Sequence, residues 1–400
     1  MVAETGSSTR ALHIAPCPSS DDSPRSEKPL PAALARGIAS WTVSVPIGAV
    51  LLLAVSWGRD IPPLLVGVVA VVLAMSVLAA VHHAEVVAHR VGEPFGSLVL
   101  AVAVTVIEVG LIVTLMTAGG EGAATLARDT VFSAAMITIN GIVGLALLVG
   151  AQRHELLYFN AEGAGAALAT VLTLSTLGLV LPTFTTAEPG PQYSGSQLAF
   201  AAVSALVLYG LFVLTQTRRH RDFFLPVEVG ASSHGEGLEE DAIHAEPPTL
   251  RATFTSLALL ICCLVAVVGL AKVESPAIEA GVRAAGLPHS FVGVVIALLV
   301  LAPETLAAVR AAQRNRMQTS FNLGLGSAIA SIGLTIPTIA LLSLWLPGPI
   351  HLGLDPLQMA LLVITGAVAT LTIVPGRATR LQGAVHLVLL SAFVFLAANP

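Results

Sequence analysis

Residues 92–113 read GEPFGSLVLAVAVTVIEVGLIV. From Pro94 onward every side chain is apolar or small except Ser97, Thr105 and Glu108. About 20 such residues carry an α-helix across the hydrocarbon core of a bilayer. A helix satisfies its own backbone groups there, whereas an unpaired strand leaves them bare. The run is therefore a membrane-crossing helix with a carboxyl group deep inside it. An ionised acid at the bilayer centre costs several kcal/mol, about 2.5–3.5 for Asp on insertion scales. Glu108 needs an offsetting benefit.

The rest of the chain has the same character. Of 400 residues 55% are hydrophobic and only 11% charged, and the mean hydropathy is +0.86. A soluble chain carries about 25% charged residues, so a soluble enzyme or a nucleic-acid binder is excluded. The net charge of −5 is too weak to suggest a polyanionic partner. Cys17, Cys262 and Cys263 cannot make a disulfide framework, and two of them lie inside an apolar run.

Eleven long apolar runs are predicted as helices, at 37–57, 62–82, 94–117, 129–150, 161–182, 197–215, 252–271, 290–310, 319–345, 357–374 and 381–398. The fold class is an all-α polytopic membrane protein. Residues 1–36, rich in Ser, Pro and charge, read as a disordered cytoplasmic tail. A signal peptide would place its apolar core nearer the start, so this tail is expected to be retained. The run at 37–57 is an extra first helix. Residues 62–215 and 251–398 each hold five helices, separated by the acidic linker 216–250.

Basic residues set the orientation. With the N-terminus cytoplasmic, fifteen Lys and Arg fall in that tail and the loops on its side. Only Arg59, Arg128, Lys272 and Arg283 fall opposite. The N-terminus and the linker are expected inside, and the C-terminus outside, in a cell inner (plasma) membrane.

The two five-helix blocks echo each other. Phe95 and Glu108 are thirteen residues apart, as are Phe291 and Glu304. The next helix of each block carries small and polar residues, MITINGIVG at 136–144 and LGSAIASIG at 325–333, which pairs Asn140 with Ser331. Because five is odd, the second block enters from the opposite side. That is an inverted-topology repeat, which in secondary transporters places the site near the midplane.

Of the 24 acidic residues, Glu108 and Glu304 are the two that fall deep within predicted spans. Neither has a His or Cys close in sequence, which disfavours soft metals. Oxygen accompanies them instead, from Thr105, Thr138, Asn140, Ser327 and Ser331. Hard cations such as Ca²⁺ take about six to eight such oxygens, backbone carbonyls included. Pro303, Gly324 and Gly326 are expected to break helical bonding and free carbonyls; close helix packing is the other use of such glycines. A bound divalent cation balances two ionised carboxylates. Without it, the pair, desolvated and mutually repelling, holds protons. If only neutralised forms reorient, cation and proton exchange.

Residues 92–113, together with LAPETLAAVRAAQRNRMQTSFNLGLGSAIASIGLTIP at 301–337, resemble the two signature repeats of the calcium/cation antiporter superfamily. They are most similar to its bacterial ChaA-type Ca²⁺/H⁺ branch. The resemblance implies that Glu108 and Glu304 bind the cation and that Asn140, Ser327 and Ser331 contribute. It also implies an acidic cytosolic segment between the halves, where Glu236, Glu239, Glu240, Asp241 and Glu246 stand. Many relatives surround each glutamate with Gly-Asn-x-x-Glu, whereas here the residues are Val104-Thr105-Val106-Ile107-Glu108 and Leu301-Ala302-Pro303-Glu304. Members of this branch also exchange Na⁺ or K⁺.

Secondary candidates are His82, His83, Glu85 and His89, which close the second helix on the cytoplasmic side as a metal or proton relay or as interfacial polar residues. The acidic linker either gathers cations or is a solvated connector. The expected function is secondary antiport, Ca²⁺ against H⁺, with no cofactor beyond the transported ions and no catalytic residues. Its partners are cations, protons and the bilayer. A Na⁺(K⁺)/H⁺ exchanger on the same scaffold is the nearest alternative, and a passive cation channel a further one.

Overall fold

The computed structural model describes residues 32–59, 61–92, 95–118, 122–227, 248–345 and 348–400. Most of the expected tail and the acidic stretch of the linker, with Glu239, Glu240 and Asp241, lie outside them. The chain divides into Met1–Ser40 and Trp41–Pro400, and the helical bundle is the second unit.

Eleven helices are present among the described residues: α1 Ala32–Ser56, α2 Pro63–Val91, α3 Phe95–Ala118, α4 Leu126–His154, α5 Ala161–Thr183, α6 Gly195–Arg219, α7 Leu250–Ala284, α8 Phe291–Gln313, α9 Met317–Leu342, α10 Pro356–Ile373 and α11 Arg380–Ala398. Nine are long and apolar enough to cross a membrane, and shorter apolar stretches, Trp41–Ser56 and Val102–Thr117, lie within α1 and α3. Polar side chains fix several starts. Asn160 accepts from the Glu162 and Gly163 amides, Thr249 from Ala252, and Asp355 from Gln358, satisfying amides that a helix start leaves unpaired.

Two helices outrun their apolar runs. Helix α2 continues to Val91 rather than stopping near residue 82, and α7 continues to Ala284 rather than 271. Hydropathy reports where lipid ends, whereas the hydrogen-bond ladder runs on into polar sequence. At 1.5 Å per residue, the 35 residues of α7 span about 52 Å, well beyond a hydrocarbon core of about 30 Å. Lys272 and Arg283, expected in a loop, are therefore helical, and the Lys272 ammonium lies 5.2 Å from the centre of the Trp57 ring.

Pro303, Gly324 and Gly326, expected to break helical bonding, do not break it. Helices α8 and α9 run unbroken through them. A proline within a span removes one hydrogen bond, and the surrounding helices tolerate that loss. Backbone irregularities sit elsewhere, in π-helical turns at Ile137–Ile142 inside α4, Thr176–Val180 in α5 and Thr215–Arg219 at the end of α6.

Contacts between the two blocks are reciprocal. Helix α3 packs on α9 as α8 packs on α4; α6 packs on α9 as α11 packs on α4; α2 meets α7 and α5 meets α10. The α4–α11 crossing is tight: a Cβ on Gly383 would come within 2.6 Å of the Leu148 amide nitrogen and 2.9 Å of the Gly144 carbonyl oxygen. Small residues let membrane helices approach this closely.

The buried apolar side chains form two clusters. One holds α2, α7 and faces of α3 and α8, including Ile107, Leu111 and Ile296; the other holds α4, α5, α6, α9, α10 and α11, with Ile112, Val294 and Leu301. The glutamate-bearing helices α3 and α8 contribute to both. Where α4 meets α5 and α10 meets α11, a two-residue antiparallel ladder pairs Leu157 with Ala378 and Tyr158 with Arg377.

Candidate cation site

Helix α3 buries Glu108, which is 3% exposed. Its Oε1 accepts a 2.7 Å hydrogen bond from the Ser331 hydroxyl of α9. Glu304 on α8 is in a different state: its Oε2 is buried and has no hydrogen-bond partner among the described residues. Glu304 lines a cavity of about 230 Å³ with Thr105, Ser327 and Ser331. The two glutamates are thus joined through α9: Ser331 touches one and lines the cavity that holds the other.

A carboxylate oxygen without a donor, deep in a bundle, is costly unless a proton or a cation completes it. The cavity beside it is lined by hydroxyls from two helices, Thr105 of α3 and Ser327 and Ser331 of α9, and Ser331 in turn holds Glu108; oxygen donors of this kind suit a hard cation. Gly326 adds no side chain, and a Cβ placed there would meet nothing within 4 Å. Gly324 has the other use of a glycine: a Cβ placed there would lie 3.5 Å from Ile142 and Val143 and 3.8 Å from Thr138 of α4.

The cavity also includes residues that the sequence reading passed over. Thr319, Asn322 and Gln216 line its outer part, and Tyr209 flanks it. Gln216 lies at the end of α6 that leads into the linker, and Thr319 lies in the first turn of α9, so the cavity opens toward the linker side of the bundle. The signal was present: Thr319, Asn322, Gly326, Ser327 and Ser331 recur at helical spacing along one stripe of α9.

Asn140, expected beside the glutamates, is engaged elsewhere. Its side-chain nitrogen donates to Thr365 at 2.9 Å, and its oxygen faces His386 Nδ1 at 3.1 Å. His386 Nε2 lies 3.1 Å from the Thr372 hydroxyl. If the His386 ring is neutral, an Nδ1–H donated to Asn140 leaves Nε2 to accept from Thr372. This is a closed polar network joining α4, α10 and α11, away from the residues that line the cavity. Thr138 likewise bonds the Ala134 carbonyl at 2.5 Å.

The histidine group on α2 divides. His83 is buried with Nε2 2.8 Å from the Thr42 carbonyl, while Glu85 and His89 are exposed. Two further acids are buried that the sequence placed at span edges or in loops: Asp129 in the first turn of α4, 3% exposed, and Glu274 in the extension of α7, 4% exposed.

The family model described as sodium/calcium exchanger protein matches this chain over residues 61–218 and again over 255–398. The chain belongs to this exchanger family. Within it, the chain is 44% identical over 363 residues, 90% of its length and 96% of the relative's, to the y4hA protein of Sinorhizobium fredii, whose name describes an ionic transporter. It is 34% identical to the sodium-potassium/proton antiporter ChaA of Escherichia coli, covering 80% of this chain and 84% of that one. Among solved structures, native YfkE superposes with a TM-score of 0.67 at 15% identity, covering 90% of this chain and all of the other. The H⁺/Ca²⁺ exchanger CAX superposes with a TM-score of 0.61 at 15% identity, covering 89% and 91%. At that identity these likenesses establish the exchanger fold: an all-α polytopic membrane protein of the cation-exchanger type.

Proposed function

We propose that this chain is a secondary cation/proton antiporter in which a cation and protons compete for Glu108 and Glu304. The observation that carries the reading is the buried, unpartnered oxygen of Glu304, a residue that lines one cavity with Thr105, Ser327 and Ser331, while Ser331 also holds Glu108. A cation entering from the linker side replaces a proton on Glu304. Two carboxylates balance a divalent ion, which favours Ca²⁺ exchanged for H⁺. Thr105, Ser327 and Ser331 complete its shell, and Glu85 attracts it to the mouth. The linker side is cytoplasmic in this reading and the C-terminus external, by the distribution of Arg and Lys.

A monovalent reading has its own support. The 34% identity to a sodium-potassium/proton antiporter exceeds the 23% to the Ca²⁺/H⁺ antiporter of Aphanothece halophytica. Na⁺ or K⁺ with one glutamate ionised and the other protonated suits the same cavity.

Everted membrane vesicles carrying an imposed proton gradient decide the matter. Ca²⁺, Na⁺ and K⁺ are added in turn, and proton movement is followed for the native chain and for Glu304→Gln. Proton release with the native chain and none with the variant supports antiport, and the ion that elicits it names the cargo. Cation flux indifferent to the pH gradient would instead make the chain a channel.

A further inference from the structure

A second, smaller cavity lies at the opposite end of the bundle from the linker, with a volume of about 70 Å³. Its walls come from α4, α8, α10 and α11, whereas the large cavity is walled by α3, α6, α9 and Glu304 of α8. Under the pairing of the two blocks, α3, α6 and α9 correspond to α8, α11 and α4. The positions follow the same spacing. Tyr209, Phe212 and Val213 of α6 recur as Phe393, Leu396 and Ala397 of α11. Thr319, Asn322 and Leu323 of α9 have the same spacing as Asp129, Phe132 and Ser133 of α4, one residue out of register with the Asn140–Ser331 pairing. The small cavity is the counterpart of the large one, shallower and turned to the other face.

Asp129 occupies it. Its carboxylate is held on both oxygens: Oδ1 accepts from Arg128 Nε at 2.8 Å, and Oδ2 from the Thr125 hydroxyl at 2.9 Å. Adjacent residues on a helix do not face one another, so Arg128 must fold back across the helix end to reach its neighbour. Of its other nitrogens, Nη2 lies 2.8 Å from Oδ1 and Nη1 donates to the Gly353 carbonyl at 3.3 Å. The same guanidinium therefore closes the start of α4 against the segment before α10. On the other flank Gly293 of α8 presses on the Asp129 backbone, where a Cβ would come within 2.7 Å. Asp355, the other acid lining this cavity, is exposed and spends an oxygen capping α10.

Building on the antiport reading, we propose that this cavity is the closed far-side mouth of the transport path. Asp129 is the carboxylate that meets the cation there, and the Arg128 guanidinium takes the cation's place while the mouth is shut. When α4 and α8 part, Arg128 leaves the Gly353 carbonyl and turns to water. Asp129 is then free to accept a cation passing to or from Glu108 and Glu304. Arg128 is a positioning residue in this scheme, acting through Asp129.

The test uses the full-length chain in right-side-out and everted membrane vesicles, so that each face is addressed separately. The probe is whichever of Ca²⁺, Na⁺ and K⁺ drives proton movement by the native chain. Asp129→Asn is expected to raise the apparent KM at the far face about tenfold, leaving the linker-face KM within twofold. Arg128→Gln is expected to lower the far-face KM several-fold, and Asp129→Glu to keep near-native values. A role confined to folding would move both faces together or neither, and either result with Asp129→Asn overturns the proposal. If Asp129→Asn does not reach the membrane, Arg128→Gln decides: an unchanged far-face KM overturns it. Glu304→Gln in the same vesicles separates the two readings. Native-like transport by that variant would fail the antiport reading itself, whereas its loss beside face-independent Asp129→Asn kinetics would fail this inference alone.

Discussion

Glu108 and Glu304 hold matching places in the two five-helix blocks, yet their surroundings differ. Glu108 is sealed and accepts a hydrogen bond from the Ser331 hydroxyl; Glu304 has a buried oxygen with no partner among the described residues and lines a cavity of about 230 Å³. The residues that follow them differ in the same sense. Ser331 reaches across to the other block's glutamate, while its counterpart Asn140 is committed to Thr365 and His386. Two copies of one helical unit thus show two conformations in one molecule. For an inverted pair this is the arrangement expected when one face is open and the other shut.

The largest expected effect removes the comparison altogether. Neutralising both members, Glu108→Gln with Glu304→Gln, is expected to cut cation-driven proton movement in vesicles to below about 1% of native, since no titratable carboxylate then remains at the pair. Retained exchange would refute a shared glutamate site. A narrower cut separates Ser331 from Asn140. A hydrogen bond to a charged group is worth about 1.5–3 kcal/mol, so Ser331→Ala is expected to raise the apparent cation KM by about tenfold or more. Asn140→Ala is expected to leave KM within twofold while lowering thermal stability by about 1–3 kcal/mol, the cost of orphaning its buried partners. Equal KM effects would erase the distinction between the two.

Proton competition gives a third handle. Only deprotonated carboxylates take the cation, so acidification on the linker side is expected to raise the apparent KM by up to about tenfold per pH unit for each proton displaced. The maximal rate at saturating cation should not fall with it. Smaller effects mark the packing. Gly383→Ala pushes a methyl group into the α4 backbone and is expected to cost about 1–3 kcal/mol in thermal unfolding followed by size-exclusion chromatography. Gly326→Ala meets no neighbour and is expected to stay within about 0.5 kcal/mol of native.

Much of this arrangement was written in the residue pattern. The runs of Val, Leu and Ala located the helices because lipid imposes a fixed length on them, and the charge at Glu108 and Glu304 stood out because lipid makes it expensive. The ends of α2 and α7 were not legible, since hydropathy is silent once a helix leaves lipid. The partners of Asn140 were not legible either. The repeat paired it with Ser331 and the resemblance drew it to the glutamates, but within the π-helical turn at Ile137–Ile142 its side chain bonds Thr365 and faces His386. The partner that claims it, His386, lies in the last helix, too distant in sequence for spacing to reveal. Asp129 was hidden in another way, at the first residue of its predicted span, where acids are ordinary helix-start signals.

The burial of α4 bears on how the protein is made. In the most apolar window of this helix, 89% of the residues are covered by other helices, against 17% for α11. The segments that cover it include α8, α9 and α11, all translated after the linker. A ribosome adding about 5–20 residues per second needs on the order of tens of seconds to deliver them. For that interval α4, with Asp129, Thr138 and Asn140 along it, has none of its eventual neighbours from the second block. Assembly must therefore wait for late synthesis, and the insertion machinery is where a newly made first half would have to be sheltered.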